Sequence, residues 1–364
     1  MPRVLFLADQ FADSTRTEGE KHPGGAELTD ATAIEACPWP IECAPAKDFD
    51  PARLDGFDVH VIGNFESAAP DLLRALAERG RHVLFEHDVR ICQWNGNFPS
   101  AWEKLHHHAQ WCVCPHPRFG PLYESAMGTI FLTHRQLGVY RANPFFEPQR
   151  TAVLGSSLMN DAFFERVERA RENPTERDID WAVVHSRNAI KGTENALAYC
   201  SERGVEPFVI QNLEPEEVLD VLERTRRFVY LPIGLEPAGR MLLEARFLGA
   251  EVVSNPNAGV AGESWWNLQD GQALEVLRDA PYRFWRIIEA WMSQESQPAQ
   301  SRPVMPLAKV VQPVTNAALR TLEAVVPGWP LRRLSKRVER RVEEAGDVSR
   351  PGRHDLAESD SQLN

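Results

Sequence analysis

Short apolar runs alternate with amphipathic stretches from residue 2 to about residue 292. Val4–Ala8, Val59–Gly63, His82–Glu86, Trp111–Cys114, Thr129–Leu132 and Ala152–Gly155 read as buried strands. Between them lie helical patterns such as Asp71–Arg79, with Leu72, Leu73, Leu76 and Ala77 on one face. The pattern then restarts. Trp181–His185, Pro207–Ile210, Phe228–Leu231 and Glu251–Ser254 read as strands, separated by helices near 192–203, 215–224 and 237–248. Continuous apolar strands alternating with helices imply parallel sheets covered on both faces. The expected class is therefore α/β: two doubly wound Rossmann-like domains, spanning 1–165 and 166–292 and joined in the polar stretch 167–178. They would face each other across a cleft at the carboxyl ends of their strands. Residues 293–345 read as a Ser/Gln/Pro linker followed by a helical tail, and 346–364 as a polar disordered tail.

Composition narrows the function. Apolar residues are 43% and charged residues 25% of the 364, as in a globular protein. Forty basic against 52 acidic side chains give a formal charge of −12, which argues against a protein that coats nucleic acid. No apolar run approaches the roughly 20 residues of a membrane span, and Met1–Ala8 reads as a strand rather than a signal peptide. Six cysteines in so long a chain do not form a disulfide framework, so the expected location is a reducing cytoplasm.

The segment richest in candidate chemistry is Phe228–Ala250. A buried strand runs into a Pro/Gly loop, and a helix is expected to open with Pro237 at its first position. First-turn amides and the positive end of the helix dipole make an anion site over Pro237, Ala238, Gly239 and Arg240. Glu236 and Glu244, eight residues apart, would lie on one side of that helix about 12 Å apart. This is too far for the acid/nucleophile pair of a glycosidase. It suits a long ligand with hydroxyls at both ends and phosphates between, as in a nucleotide sugar. Upstream, Arg187 and Lys191 follow the strand at 181–185, where two cations can neutralise a departing diphosphate.

These residues resemble the C-terminal domain of a GT-B glycosyltransferase, most closely the retaining family 4. The resemblance rests on Glu236 and Glu244 with the spacing Glu-x7-Glu, followed by Ala-x-x-x-Gly and the strand 250–254. It implies that Glu236 contacts the transferred sugar and Glu244 the ribose, and that residues 166–292 bind the nucleotide sugar while 1–165 face the acceptor. The chain has Ala238-Gly239 where that family commonly has Phe-Gly, and its Arg and Lys-Gly are one residue closer together. Gly24 and Gly25, in His22-Pro23-Gly24-Gly25-Ala26-Glu27, fall where the family has a Gly-Gly turn near the diphosphate and acceptor. His87, at the end of Val83–Glu86, stands where related enzymes face the anomeric carbon. Asp88 would orient its imidazole or touch the acceptor.

The resemblance implies a nucleoside diphosphate sugar as donor substrate, a glycan, lipid-linked or small-molecule hydroxyl acceptor, and no bound metal or other cofactor. The cluster His106–His108 with Cys112, Cys114 and His116 follows no standard zinc spacing. Leu331, Leu334, Val338 and Val342 make a helical stripe amid Arg and Lys, so 331–342 could contact the inner face of an anionic membrane. Two other functions share these features: a nucleotide-sugar epimerase of the same architecture, and a non-catalytic nucleotide-sugar or glycan-binding protein.

Overall fold

The computed structural model describes residues 1–14, 22–91, 119–143, 148 and 150–295. Residues 1–297 form one compact unit. The strand expected at Trp111–Cys114, the His/Cys cluster at 106–116, the basic stripe at 331–342 and both tail segments lie outside the described residues.

The chain builds two sheets. The first contains β1 (Val4–Ala8), β2 (Ile41–Pro45), β3 (Val59–Ile62), β4 (His82–Glu86), β5 (Gly128–Phe131) and β6 (Thr151–Val153), in the order β2-β1-β3-β4-β5-β6. The second contains β7 (Ile179–Val184), β8 (Phe208–Ile210), β9 (Thr225–Tyr230) and β10 (Glu251–Ser254), in the order β10-β9-β7-β8. Every pair in both sheets is parallel. The α/β class expected from strand–helix alternation is what the chain adopts. The edge strand β2 was not expected, because Glu42 and Pro45 interrupt the apolar run of Ile41-Glu42-Cys43-Ala44-Pro45 and the strand is largely uncovered.

The helices are α1 (Gly25–Glu35), α2 (Pro70–Arg79), α3 (Gly120–Ser125), α4 (His134–Arg141), α5 (Asp161–Glu172), α6 (Thr193–Ser201), α7 (Pro215–Arg224), α8 (Arg240–Phe247) and α9 (Asp270–Glu295). Their apolar stripes cover both faces of each sheet. On the first sheet, α2, α3 and α4 bury Leu72, Leu76, Leu122, Leu137 and Tyr140 on one side. The other side receives Ala33 from α1 and Phe284, Trp285, Ile288 and Trp291 from α9. On the second sheet, α6 buries Ala196 and Cys200 against Val183 and Val229. The opposite face takes α5, α7, α8 and the first turns of α9.

Sequence order and packing part company at two places. The expected boundary at 165/166 falls inside α5, whose Phe163, Phe164 and Val167 all pack on the second sheet. Helix α9 starts there with Ala273, Leu274 and Leu277, and ends on the first sheet. Pro281, which has no amide to donate, lies between the two sets of contacts. The aromatic run 282–291 is thus the helix that returns the chain to its first half. Trp285 anchors it, 2% exposed, donating its indole N–H to Ala33 O at 2.7 Å and meeting Trp39 edge to face. Trp285→Ala is expected to lower the unfolding free energy by about 3–5 kcal/mol in urea denaturation, by emptying a large core site.

Candidate functional site

In each sheet the strand order reverses at one seam, between β1 and β3 and between β7 and β9. Loops leaving the carboxyl ends of strands beside such a seam diverge and open a crevice. A cleft of about 460 Å³, within the usual range for small-molecule sites, lies at these loops. The first half contributes His22–Gly25 and Leu28. The second contributes His185, Ser186 and Lys191 after β7, Gln211–Leu213 after β8, and Tyr230, Glu236, Gly239, Arg240 and Glu244 around the end of β9. The starts of α1 and α8 come close together: a Cβ on Gly25 would sit 3.5 Å from the Arg240 Cβ.

Helix α8 begins at Arg240, three residues later than the sequence pattern implied. Gly239 caps it in the left-handed conformation (φ 59°), so a continuous helix from Pro237 is impossible. Pro237 is therefore not the first helical residue, and neither it nor Ala238 lines the cleft. The loop is instead pushed into the first half. Leu235 joins the apolar cluster on one face of the first sheet and Ala238 the cluster on the other. The anion-binding amides belong to the turn from Arg240 onward. Glu236 also lies outside α8, so the 12 Å helical separation from Glu244 does not apply. Its backbone forms a parallel bridge with Ala258, through Glu236 N–H to Asn257 O (2.9 Å) and Gly259 N–H to Glu236 O (2.8 Å).

Glu236 and Glu244 each hold a cation. Lys191 Nζ lies 2.6 Å from Glu236 Oε2, and Arg240 Nε lies 2.9 Å from Glu244 Oε1. Arg240 also donates to Leu158 O at 2.6 Å, which fixes its guanidinium at the junction of the halves. Tyr230 bonds to Glu236, and burial together with that carboxylate pushes its phenol well above the ordinary range. Gly192, behind Lys191, presses its loop onto the end of β9. At φ 68° it leaves no room for a side chain, since a Cβ would lie 1.9 Å from Leu231 O. Arg187 is exposed and does not line the cleft, so the structure brings one of the two expected cations to it from this loop.

The β4 end behaves differently from expectation at one residue. The His87 imidazole is buried and stands 4.5 Å from the Phe85 ring. Its Nε2 lies 2.7 Å from Asp30 Oδ1 on α1. Asp30, not Asp88, therefore orients it, and His87 is absent from the cleft wall. Asp88 is half-buried, with Arg90, Glu236 and Lys191 near enough to act on its charge. Its pKa is raised, first by desolvation and further by Glu236, against the opposing pull of Arg90 and Lys191. The turn carrying both residues is clamped by buried groups. Gln136 Nε2 donates to Glu86 O (3.0 Å) and Asp88 O (2.7 Å), and Arg90 N–H to Tyr140 Oη (3.0 Å). Arg90, 1% exposed, pairs with Glu86 at 3.1 Å and lies over the Phe65 ring.

The sequence pattern pointed to Gly24, Gly25, Lys191, Glu236, Gly239, Arg240 and Glu244, all of which line the cleft. It missed Asp30, Tyr230, Gln136 and the 211–213 loop. Only the strand ends, which place Tyr230 and Gln211 at a carboxyl edge, carried a signal for any of them.

No protein-family model and no curated protein matches the chain. Among solved structures, HepE of Anabaena in complex with UDP-glucose is 15% identical, with a TM-score of 0.43, covering 81% of this chain and 99% of that one. WaaG, a glycosyltransferase involved in lipopolysaccharide biosynthesis, is 14% identical at a TM-score of 0.40, covering 80% and 93%. A glycosyltransferase from Rickettsia africae is 11% identical at 0.41, covering 80% and 98%. The likeness is loose on both measures, and the functional reading below rests on the chain's own residues.

The raised Asp88 pKa has a thermodynamic consequence. A carboxyl that holds its proton more tightly folded than unfolded loses stability as pH rises from the unfolded value through the folded one. Asp88→Asn is therefore expected to raise Tm at pH 7, with the gain shrinking as the buffer falls towards the ordinary carboxylate value of 3.8. Thermal melts of both proteins across that range test this. A Tm difference independent of pH would show that the Asp88 charge is not the cause.

Proposed function

We propose that the chain is a glycosyltransferase of the GT-B, family 4-like type. It would move a sugar from a nucleoside diphosphate to a hydroxyl acceptor with retention of anomeric configuration. The observation that carries this reading is the meeting of the α1 and α8 helix starts beside Lys191 and Arg240 in one cleft. Amides at helix starts and fixed cations hold a diphosphate and stabilise the charge that develops as it leaves.

In this reading the nucleoside lies in the second half, with its ribose hydroxyls on Glu244 and its base towards 211–213. The diphosphate sits over Gly239–Arg240 with Lys191, and Gly24–Gly25 close it from the other side. Glu236 takes the sugar hydroxyls, while His87 and Asp88 belong to the acceptor-side face. Arg187, exposed on the loop after β7, reaches the phosphates only if that loop moves. The acceptor hydroxyl attacks from the leaving-group face, giving its proton to a departing phosphate oxygen, so no protein nucleophile is needed. The diphosphate charge is met by the chain's own amides and cations, and we invoke no resident cofactor. Among the described residues, no helix is long and apolar enough to cross a membrane. Contact with a membrane through 331–342 remains part of the proposal.

UDP-, GDP- and ADP-sugars offered to the wild type and to Glu244→Ala test the donor site. Release of nucleoside diphosphate is expected from one donor class, falling about 100-fold in the variant as hydrogen bonds to a buried carboxylate are lost. Equal release by both proteins would remove Glu244 from the ribose site.

A further inference from the structure

We infer that Asp30 is a positioning residue. It commits Nε2 of His87 and leaves Nδ1 as the nitrogen available to the substrate on the acceptor side. The inference deepens the transferase reading and rests on it for the role of His87.

The geometry is specific. Asp30 Oδ1 lies 2.7 Å from His87 Nε2, and the two side chains are 2% and 3% exposed. A carboxylate only accepts, so the nitrogen facing it carries a proton. Its position is fixed from behind as well: a Cβ on Gly63 would fall 2.7 Å from Asp30 Oδ2, so the carboxylate fills the space that a side chain there would need. The second nitrogen is in the opposite condition. Nδ1 of His87 is buried and has no hydrogen-bond partner among the described residues. A buried polar atom without a partner is costly and calls for an explanation. His87 does not line the open cleft, but it adjoins Asp88, which Glu236 and Lys191 approach closely enough for their charges to act on it. A substrate hydroxyl bonded to Nδ1 from that side supplies the explanation.

Asp30 also ties this face to the donor side. It stands on α1, whose first residues Gly24 and Gly25 line the cleft. Thr29, next to it, shares a 2.6 Å hydrogen bond with Ser157, two residues before Met159 joins the apolar cluster of the second sheet.

The test uses the full chain labelled with 15N, with His87→Gln to assign the imidazole signals. Wild-type His87 is expected as the Nε2–H tautomer, with Nδ1 unprotonated. Asp30→Asn keeps an acceptor and is expected to keep that tautomer, whereas Asp30→Ala loses it. With the donor found above, Asp30→Ala is expected to lower kcat about 10- to 100-fold, the worth of a hydrogen bond to a charged group. Affinity for the nucleoside diphosphate of that donor should stay within about twofold, since the proposed base and ribose contacts lie in the second half. An Nδ1–H tautomer in the wild type would overturn the assignment. So would an Asp30→Ala protein with unchanged tautomer and kcat, or one that loses binding of that nucleoside diphosphate as much as turnover. Wild-type protein that turns over no donor would instead sink the transferase reading, and the tautomer would still decide the Asp30–His87 pair.

Discussion

All strands within each sheet point the same way, and everything at the cleft follows from that constraint. Parallel pairing needs a crossover after each strand, so the loops that carry polar chemistry collect at the carboxyl edge and helix starts face the same way. In the first sheet this places His22–Gly25 after β1 and His87–Asp88 after β4 on one edge. In the second it places Lys191 after β7 and Glu236–Arg240 after β9 on another. Lys191 is 45 residues from its partner Glu236, and His87 is 57 from its partner Asp30. The backbone topology gathers them before any side chain interaction is made.

The charges within the cleft are then balanced in pairs. Lys191 with Glu236 and Arg240 with Glu244 are each partly shielded, with side-chain exposures from 34% down to 10%. A pair at this depth is worth more than one on an open surface, and losing either member leaves a charge poorly solvated. An anionic ligand entering such a site competes with the carboxylates for the cations. A ligand that also carries hydroxyls resolves the competition, since the displaced carboxylates accept hydrogen bonds from them. Under the proposed function, phosphate and hydroxyl recognition depend on each other, which favours a whole nucleotide sugar over inorganic phosphate.

The sequence made the strands legible because most read as short apolar runs, those of β1, β3, β4 and β5 being buried along their whole length. Nine of the ten strands coincide with or overlap such runs, and the missing one, β2, lies at an edge where Glu42 and Pro45 break the pattern. The start of α8 was misplaced for a different reason. Pro237 is a good first residue for a helix, but Gly239 two positions later takes a left-handed conformation, and Leu235 and Ala238 are drawn into the first sheet's core. Local propensity lost to tertiary packing there. Ala238 has a related meaning: its small side chain, 5% exposed, fits that core. The Asp30–His87 contact was illegible because its members are 57 residues apart and an aspartate inside a helix ordinarily reads as solvated.

The β4 turn shows how the fold supports a residue that works against its stability. Asp88 sits half-buried with its proton held more tightly than in water, an arrangement that folding alone gives no reason to keep. Around it the chain concentrates buried hydrogen bonds and an ion pair. Gln136 saturates two carbonyls and accepts from Leu132 N–H at 2.8 Å, while Arg90, Glu86, Tyr123 and Tyr140 form one buried polar cluster. Burial alone would lower the Arg90 pKa, yet Glu86, with Tyr123 and Asp88, holds it above the ordinary value, so the guanidinium stays charged beneath the turn. The same helix α4 meets the second half at its first residue, where buried Glu263 accepts from His134 N–H and lies 2.7 Å from His134 Nδ1. Glu263 follows directly on the loop whose Gly259 bonds to Glu236. One helix therefore sets the height of Asp88 on one side and contacts the Glu236 loop on the other. A fixed helix of this kind gives two carboxylates from opposite halves a defined relation, which a loop-to-loop contact would leave to thermal motion.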